Sequence, residues 1–351
     1  MKLKTEPEDF ILSNSEIPMT AEIKAFLLSI GTADIEDDEM ILPTLKSTAG
    51  PSAGGSGSVF IYSNGRRVRL NIDKNSPFKI RKISKNGSYT KIAVINSETG
   101  ELIVTGENES ILAHCPKQAY INLSEKCIYN CKYCSVPKLQ GRVKTKEESL
   151  EIIKTAFEKG KVEAISITSG VESTPEGELN RVLNLLPDLL NYGVPIGVSI
   201  YAVSEGSKKL KAAGVSEVKY NIEVADSEIF EKVCPGLSMD EVFKELAEAV
   251  HVFGRGKVYS NLIVGLGETD ESVEQMIEKL AEIGVISCVR PIYQNPYRKD
   301  ECFMERPSQE RLLKLFEMQK KISQKYDLHP EKSETMCSLC TGCDMVPGRD
   351  G

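Results

Sequence analysis

From Ala119 onward, short apolar runs alternate with longer amphipathic segments. A short apolar run bounded by turn residues indicates a buried strand, and an amphipathic segment of roughly a dozen residues indicates a helix. The six predicted strands lie at 119–124, 164–169, 195–202, 217–223, 257–264 and 287–292. The predicted helices lie at 146–159, 176–192, 205–213, 238–252, 270–283 and 308–326, and one more helix is predicted to begin at 227.

This alternation predicts an α/β protein with a parallel sheet covered by helices. Six strand–helix units are too few to close an eight-fold barrel, so we expect an open, partial (β/α)6 TIM-like barrel. In such barrels the site lies at the C-terminal ends of the strands. Side chains at those ends are therefore the first candidates for function.

The first 115 residues follow a different pattern. A helix is predicted at 21–30, and alternating runs predict strands at 59–62, 67–72, 79–83, 90–95 and 102–105. The small-residue stretch at 47–58 predicts a flexible loop. We therefore expect a small β-rich or α+β accessory domain at 1–115, the barrel at 116–328 and a tail at 329–351. The accessory domain is either a structural or oligomerisation module, or a docking site for a protein or peptide substrate.

Composition narrows the class of protein. The chain has 351 residues, a net charge of −7 and ten cysteines. The acidic balance argues against a nucleic-acid-binding protein, because such proteins carry a basic footprint. No apolar run approaches the roughly 20 residues of a membrane span, and the N-terminus lacks the apolar segment of a signal peptide. Many cysteines without a secretory signal indicate metal ligation in a reducing compartment, so we expect a cytoplasmic protein.

Three of the cysteines follow the first predicted strand, at Cys127, Cys131 and Cys134. The spacing C-x3-C-x2-C lets one loop hold three irons of a [4Fe–4S] cube. The fourth iron is then open, and an open metal position is where a substrate or cofactor binds. A zinc site is the alternative, but zinc usually takes four ligands, and the chain just downstream offers no fourth Cys or His.

At this motif the chain resembles the radical S-adenosylmethionine (SAM) superfamily, whose fold is a partial (β/α)6 barrel. The resemblance implies that SAM binds the open iron through its amino and carboxylate groups. One electron, from a reductant such as ferredoxin or flavodoxin, then cleaves SAM to methionine and a 5'-deoxyadenosyl radical. That radical abstracts a hydrogen atom from an unactivated C–H bond, and the chemistry is anaerobic.

The resemblance also assigns SAM-binding residues at the ends of two strands. Ser169, Gly170 and Glu172 stand where the family carries a Gly-Gly-Glu-type motif, which this chain replaces with Ser-Gly-Val-Glu. Asn221 and Glu223 share one face of the fourth strand and resemble a pair that meets the ribose of SAM in biotin-synthase-like enzymes. An ordinary turn after the second strand is the alternative for the first group.

Two further segments carry the resemblance to the biotin synthase, hydrogenase-maturase and archaeal-type lipoyl synthase branch. Gly265 and Leu266 begin a Gly-Leu-Gly-Glu-Thr signature whose glycines admit the cofactor edge, and Ile263 lies in the apolar segment before it, which in that branch packs against adenine. Tyr133 matches an aromatic residue near adenine. Arg290 and Arg298 follow on the sixth strand and beyond it. Each is a candidate to hold a carboxylate, although membership of a surface ion pair is the preferred interpretation.

The tail contains a second cysteine motif, Cys337, Cys340 and Cys343, with the spacing C-x2-C-x2-C. We interpret it as the ligand set of an auxiliary [4Fe–4S] cluster, with zinc as the alternative. A fourth ligand is left open among substrate, sulfide and five side chains: Asp344, Cys115, Cys234, Cys288 and Cys302.

A biotin-synthase-like barrel with an auxiliary cluster resembles a sulfur-insertion enzyme, a transferase of lipoyl synthase type whose second cluster donates sulfur. A carrier-protein or peptide substrate would dock on the accessory domain, and a partner radical SAM subunit is a further possibility. One alternative is a radical SAM cofactor maturase, rearrangement enzyme or protein-methylating enzyme whose second cluster binds substrate or relays electrons. The non-enzyme alternative is a two-cluster electron carrier or iron–sulfur scaffold.

Overall fold

The computed structural model describes residues 16–36, 57–86 and 89–351. The flexible loop predicted at 47–58 lies outside these residues except for its last two positions. Within them, the two predicted patterns correspond to two sheets of different topology, and the C-terminal tail contacts both sheets.

The N-terminal part is a closed six-stranded β-barrel packed against one helix. Its elements are α1 (Ala21–Ile30), β1 (Thr32–Ile35), β2 (Ser58–Ser63), β3 (Arg66–Ile72), β4 (Phe78–Asn86), β5 (Tyr89–Asn96) and β6 (Leu102–Glu109). The helix and the five predicted strands are present. The sequence prediction missed the short β1, whose parallel pairing with β3 and β4 closes the sheet.

The second sheet is the predicted partial barrel. Its six strands are parallel and lie in the order β12-β11-β10-β9-β8-β7. They are β7 (Gln118–Asn122), β8 (Ala164–Thr168), β9 (Ile196–Ser199), β10 (Glu217–Lys219), β11 (Val258–Val264) and β12 (Ile286–Pro291). The strand predicted at 217–223 ends at Lys219, and Glu223, with a left-handed φ of 62°, pairs with Leu262 of β11 only as an isolated bridge.

The helices cover this sheet and end in the tail. They are α2 (Lys146–Lys159), α3 (Pro175–Leu189), α4 (Gly206–Ala212), α5 (Ser227–Val233), α6 (Met239–Phe253), α7 (Asp270–Ile283), α8 (Gln309–Lys325) and α9 (Met336–Cys340). Capping residues fix several of their starts. Thr145 and Glu148 form a reciprocal capping box at α2, which satisfies amides that lack a partner inside the helix.

The tail lies between the two barrels. Lys24 of α1 is fully buried and donates to the Asp350 carboxylate at 2.7 Å and to the Thr341 carbonyl at 2.8 Å. The amide of Arg69 on β3 donates to the carbonyl of Gly342 at 2.7 Å. Thr341 and Gly342 stand between Cys340 and Cys343. These contacts therefore place the N-terminal barrel against one side of the second cysteine motif.

Among the described helices, none combines the length and the apolar character that crossing a membrane requires.

Candidate active site and metal centres

The first cysteine motif lies in the loop after β7, at the C-terminal edge of the parallel sheet. Two backbone hydrogen bonds attach this loop to its neighbours: the amide of Ile128 donates to the carbonyl of Val171, and that of Lys132 to the carbonyl of Val233 at the end of α5. Within the loop, the amide of Cys134 donates to the carbonyl of Cys131 at 3.0 Å. The thiols of Cys127, Cys131 and Cys134 are thus carried by a loop that is attached to two other parts of the fold.

Arg298 stabilises this loop through a hydrogen bond to its backbone. Its side chain is 0% exposed, its Nε donates to the carbonyl of Cys134 at 2.6 Å, and one terminal nitrogen donates to Glu301 at 2.8 Å. Asn295 adds a hydrogen bond to the carbonyl of Tyr133 at 3.2 Å. Arg298 thus belongs to an ion pair, as the preferred interpretation expected, but the expected surface position was wrong, because its guanidinium is buried and donates to backbone beside the cysteines.

Ser169 and Gly170 follow β8 and contact the start of the cysteine loop. The hydroxyl of Ser169 donates to the buried Glu178 carboxylate at 2.6 Å and accepts the amide of Ser124 at 3.1 Å. A Cβ added to Gly170 would lie 2.3 Å from the carbonyl of Lys126. Gly170 therefore permits the close approach of two backbones, and the turn is shaped by contacts within the protein.

Glu172 has a different environment. Its carboxylate accepts a hydrogen bond from Arg181 at 2.8 Å, and its amide donates to Glu178 at 3.0 Å. The Glu172 side chain is 36% exposed, so the pair with Arg181 lies at the rim of the site. A direct SAM contact by Glu172 stays a prediction, as it does for Ser169 and Gly170.

Asn221 and Glu223 lie beside the cysteine loop, where β10 gives way to the turn before α5. The amide of Asn261 on β11 donates to the Asn221 side chain at 3.2 Å. Burial raises the pKa of the Glu223 carboxyl, while Lys219 and a hydrogen bond from Asn221 act in the opposite direction. Tyr133 also hydrogen-bonds Glu223, so the structure brings three of the predicted SAM-binding residues together.

The predicted adenine segment follows β11. Gly265 has a φ of 107°, and the Glu268 carboxylate accepts the amides of Gly265 and Leu266 at 2.7 and 2.8 Å. Leu266 is buried in a small apolar cluster against which Ile263, Cys131 and Tyr133 pack. The segment predicted to hold adenine and the first cysteine motif are therefore in one cluster.

Cys234, at the end of α5, belongs to the same cluster. A hydrogen bond from its thiol lowers the pKa of Cys131, against the effect of burial. The Cys234 pKa is correspondingly raised, by that hydrogen bond and by burial.

The second cysteine motif lies on α9 and in the turn after it. The Cys337 thiol lies 3.3 Å from the ammonium of Lys219, which also contacts the Asn261 side chain at 3.4 Å. The carbonyl of Cys340 accepts a hydrogen bond from Arg67 of the N-terminal barrel at 2.7 Å. Residues from both barrels therefore surround the motif.

Glu217, the first residue of β10, anchors the segment that leads into α9. It is fully buried and accepts the Thr335 hydroxyl at 2.7 Å, the Thr335 amide at 3.0 Å and the Glu334 amide at 3.2 Å. The hydroxyl of Tyr259 donates to the same carboxylate at 3.1 Å. The tail thus occupies the N-terminal end of the partial barrel.

Cys115, just before β7, contacts the second motif. The hydrogen bond that it makes to Cys340, helped by the charge of Arg67, lowers the pKa of Cys340 to about 7 although burial raises it. The same hydrogen bond and burial raise the pKa of Cys115.

Comparison with known proteins identifies this domain. The model of the radical SAM superfamily matches residues 121–280. Residues 121–280 form a radical SAM domain. The match begins inside β7 and ends inside α7, so it includes the first cysteine motif and the adenine segment and excludes the N-terminal barrel and the tail.

The relatives agree with this family. Ribosomal protein uS12 methylthiotransferase RimO of Wolinella succinogenes is 26% identical over 216 residues, covering 56% of this chain and 49% of the relative. Biotin synthase of Saccharopolyspora erythraea is 26% identical over 209 residues, covering 55% of this chain and 58% of the relative. This chain therefore spans about half the length of these two curated relatives.

A solved structure supports the fold. Methylornithine synthase (PylB) superposes with a TM-score of 0.50 at 19% identity, over 57% of this chain and 62% of that chain. The partial (β/α)6 barrel predicted from the strand–helix alternation is thereby confirmed.

The cysteines of the radical SAM domain suit the cluster that the family implies. Within the described ranges, no three His, Cys, Asp or Glu side chains are arranged to hold a single metal ion. In a cube each thiolate binds a different iron, so the sulfur atoms lie farther apart than ligands of one ion. The half-buried thiols of Cys127, Cys131 and Cys134, on a braced loop, fit such a group.

Sequence reasoning missed Lys219 and Glu217, which organise the second cysteine group, and it considered Arg298 only for other roles. Glu217 and Lys219 alternate with Val218 in a predicted buried strand, and charged side chains in such a strand indicate a polar interior. That signal was available. The role of Arg298 depends on a fold that brings it to Cys134, which no local pattern reveals.

Proposed function

We propose that this protein is a radical SAM enzyme that inserts sulfur into an unactivated C–H bond, with Cys337, Cys340 and Cys343 holding a second [4Fe–4S] cluster as the sulfur source. The observation that carries the proposal is the placement of Cys337 beside Lys219 on β10. Glu223 follows four residues later in the turn after β10, and four residues span at most about 14 Å, so the residues beside the two cysteine groups are close along the chain.

In this proposal two groups of residues have separate roles. Tyr133, Asn221 and Glu223 bind the polar part of SAM, and Ile263 and Leu266 contact its adenine. Lys219 and Arg290 lie toward the tail and supply positive charge. When bound, the first cluster and SAM supply the hydrogen-abstracting radical, and the second cluster supplies a sulfide.

Two relatives support sulfur chemistry over the other radical SAM activities. RimO is, by its name, a methylthiotransferase, and its methylthio group contains sulfur. Biotin synthase is a second relative. The substrate in our proposal is an octanoyl chain on a carrier protein or peptide, and the reductant is a ferredoxin or flavodoxin. We also propose a cytoplasmic location, because many cysteines suit a reducing compartment.

The second candidate function is a radical SAM reaction in which the tail cluster relays electrons or binds substrate. The contact between the Lys219 ammonium and the Cys337 thiol at 3.3 Å favours it, because a nearby positive charge stabilises the reduced state of a cluster. The covering of the tail by the N-terminal barrel is consistent with either role.

The test is anaerobic turnover of the reconstituted protein with SAM and dithionite, with and without an octanoylated carrier peptide. Mass spectrometry follows 5'-deoxyadenosine, the peptide and the sulfide that remains in the protein. We expect deoxyadenosine to rise with the peptide, and the peptide to gain sulfur as the protein loses sulfide.

Two variants separate the steps of this reaction. Cys131→Ala should abolish deoxyadenosine formation, and Cys340→Ala should keep it while sulfur insertion is lost. An unmodified peptide with full retention of protein sulfide would overturn the sulfur-donor role and favour the relay. Absence of deoxyadenosine with both clusters present would overturn the enzyme itself.

A further inference from the structure

The chain between β12 and α8 contacts the adenine segment through its backbone. The amide of Glu305 donates to the carbonyl of Gly265 at 2.9 Å. A Cβ added to Gly265 would lie 2.1 Å from the carbonyl oxygen of Glu305 and 2.7 Å from the side chain of Ile292. Glu305 and Ile292 therefore both pack directly against the backbone of Gly265.

Arg306, the residue after Glu305, joins this part of the chain to the N-terminal helix. Its Nε donates to the carbonyl of Leu28 in α1 at 2.7 Å, and one terminal nitrogen donates to the carbonyl of Ile292 at 3.0 Å. A single guanidinium thus binds the end of α1 and a residue that packs against Gly265.

The end of α1 is suited to a cation. The last carbonyls of a helix have no partner inside it and carry partial negative charge. The last turn of α1 contains no basic residue of its own, and the amide of Gly31 binds the carbonyl of Leu27. The carbonyl of Leu28 is therefore left for Arg306, whose positive charge is favourable at this position.

Gly31 lets the guanidinium approach α1 closely. It ends the helix with a left-handed φ of 73°. A Cβ added to Gly31 would lie 2.2 Å from a terminal nitrogen of Arg306 and 2.4 Å from the central carbon of its guanidinium. Any side chain at position 31 would therefore displace Arg306.

The start of α8 makes two further contacts with the same elements. Gln309 donates to the carbonyl of Glu22 in α1 at 3.1 Å. Arg311 donates to the carboxylate of Glu268 at 2.9 Å, and that carboxylate accepts two amides of the adenine segment. The region from Glu305 to Arg311 thus contacts both the N-terminal helix and the adenine segment.

We propose that Arg306 is a positioning residue for SAM, through which helix α1 of the N-terminal part holds the adenine segment in shape. The inference rests on the adenine contacts of Ile263 and Leu266 in the proposed function. It gives the N-terminal part of the chain a role in cofactor binding, in addition to its contacts with the tail.

The contacts of Arg306 make SAM affinity depend on it. Ile292 belongs to the apolar cluster that contains Leu266, and its carbonyl loses a charged donor when the guanidinium is removed. Glu305 then lies beside a residue that is no longer fixed. An adenine segment that fluctuates must be ordered when SAM binds, and the cost of that ordering lowers the affinity.

The test measures SAM binding to the reconstituted full chain by equilibrium dialysis without reductant. Arg306→Met removes both donors, and Gly31→Ala keeps the arginine but displaces its guanidinium. Each variant should bind SAM about tenfold more weakly, which is the effect of one lost charge-assisted hydrogen bond. The double variant should bind SAM no more weakly than Arg306→Met, since both changes act at one contact.

The matched control is Gly100→Ala, in the N-terminal barrel. Gly100 has a φ of 72°, against 73° at Gly31, but a Cβ at Gly100 meets open space. The two alanine variants therefore share the strain of a left-handed backbone and differ in the clash with Arg306. Gly100→Ala should keep the parental SAM affinity.

Kinetics separate positioning from a general loss of structure. In Arg306→Met and Gly31→Ala, the KM for SAM in deoxyadenosine formation with dithionite should rise about tenfold, while kcat stays at the parental value. The iron content should also be unchanged. Thermal unfolding shows whether each variant is folded, and Gly31→Ala carries the test if Arg306→Met does not fold.

Unchanged SAM affinity in either folded variant would overturn the proposal, as would equal losses in Gly31→Ala and Gly100→Ala or a fall in kcat with an unchanged KM. If Gly265→Ala still weakens SAM binding in those cases, the adenine contacts of the proposed function stand. Unchanged affinity in Gly265→Ala would overturn those contacts, and with them this inference.

Discussion

The carboxylate of Glu217 accepts the hydroxyl of Thr335 at 2.7 Å. This bond joins the first residue of a barrel strand to the residue that precedes α9. Because two tail amides and the hydroxyl of Tyr259 share the same carboxylate, Glu217 determines where the second cysteine motif docks.

Glu217→Ala should therefore release the tail. It leaves several buried donors without an acceptor, and we expect the free energy of unfolding to fall by about 3 kcal/mol. Iron at the tail should be lost faster to a chelator, while iron at the first motif stays. Denaturant unfolding of the apoprotein and timed iron release measure the two effects.

Lys257 pairs with both Glu217 and Glu334. The control is therefore Glu334→Ala, which removes a half-exposed carboxylate paired with that lysine. An exposed pair contributes at most about 1 kcal/mol, so this variant should unfold close to the wild type. Equal losses in the two variants would contradict the anchoring role of Glu217.

Arg298→Met should loosen the first cysteine loop. The carbonyl of Cys134 would lose its buried donor, which costs about 2 kcal/mol. Deoxyadenosine formation should fall because the loop no longer holds its thiols in place, and the tail iron should remain. The exposed neighbour Lys299 provides the comparison, as Lys299→Met should change neither quantity. Normal iron retention at the first motif in Arg298→Met would refute the bracing role.

Gly265→Ala should disturb the predicted adenine segment. The backbone has a φ of 107°, and an added Cβ would lie 2.1 Å from the carbonyl of Glu305. Left-handed strain and the backbone clash together should cost about 3 kcal/mol and weaken SAM binding. Thermal unfolding and equilibrium dialysis with SAM measure these effects.

Gly256 separates the two causes. It also has a left-handed φ, of 74°, but a Cβ there meets open space. Gly256→Ala should therefore cost about 1 kcal/mol, from backbone strain alone, and leave SAM affinity unchanged. Similar losses at both positions would mean that the Glu305 contact is unimportant.

Lys219→Met should change the redox behaviour of the tail. It removes an ammonium that lies 3.3 Å from the thiol of Cys337. Loss of a nearby positive charge disfavours the more negative, reduced cluster, so the midpoint potential of the tail cluster should become more negative. Lys219→Arg keeps the charge and should keep the potential near the wild-type value.

Spectroscopic redox titration measures this potential in a full chain that also carries Cys127→Ser, Cys131→Ser and Cys134→Ser, so that the signal comes from the tail cluster. An unchanged potential in Lys219→Met would place the ammonium outside the electrostatic influence of the cluster.

Local patterns determined much of the fold. The helices at 146–159 and 270–283 have the predicted bounds, because a capping threonine and an acidic first turn define their starts. The six apolar runs became the six parallel strands, since buried parallel strands are apolar on both faces. The spacing of Cys127, Cys131 and Cys134 indicated the superfamily that the match to residues 121–280 confirms.

Other features depended on tertiary structure. The closure of the N-terminal barrel relies on β1, a strand of four residues whose partners are far along the chain. The strand that begins at Glu217 ends at Lys219, and Glu223, in the left-handed region, meets β11 only as an isolated bridge. A four-residue strand and a single backbone dihedral leave no periodic signal in the sequence.

The sequence by itself determined that two cysteine groups exist and which chemistry their spacings suit, because ligand spacing within one loop is local. Only the tertiary structure decided that the tail lies between the two barrels, with Lys219, Arg67 and Cys115 around it. Those neighbours come from distant segments, and long-range packing of buried charges brings them together.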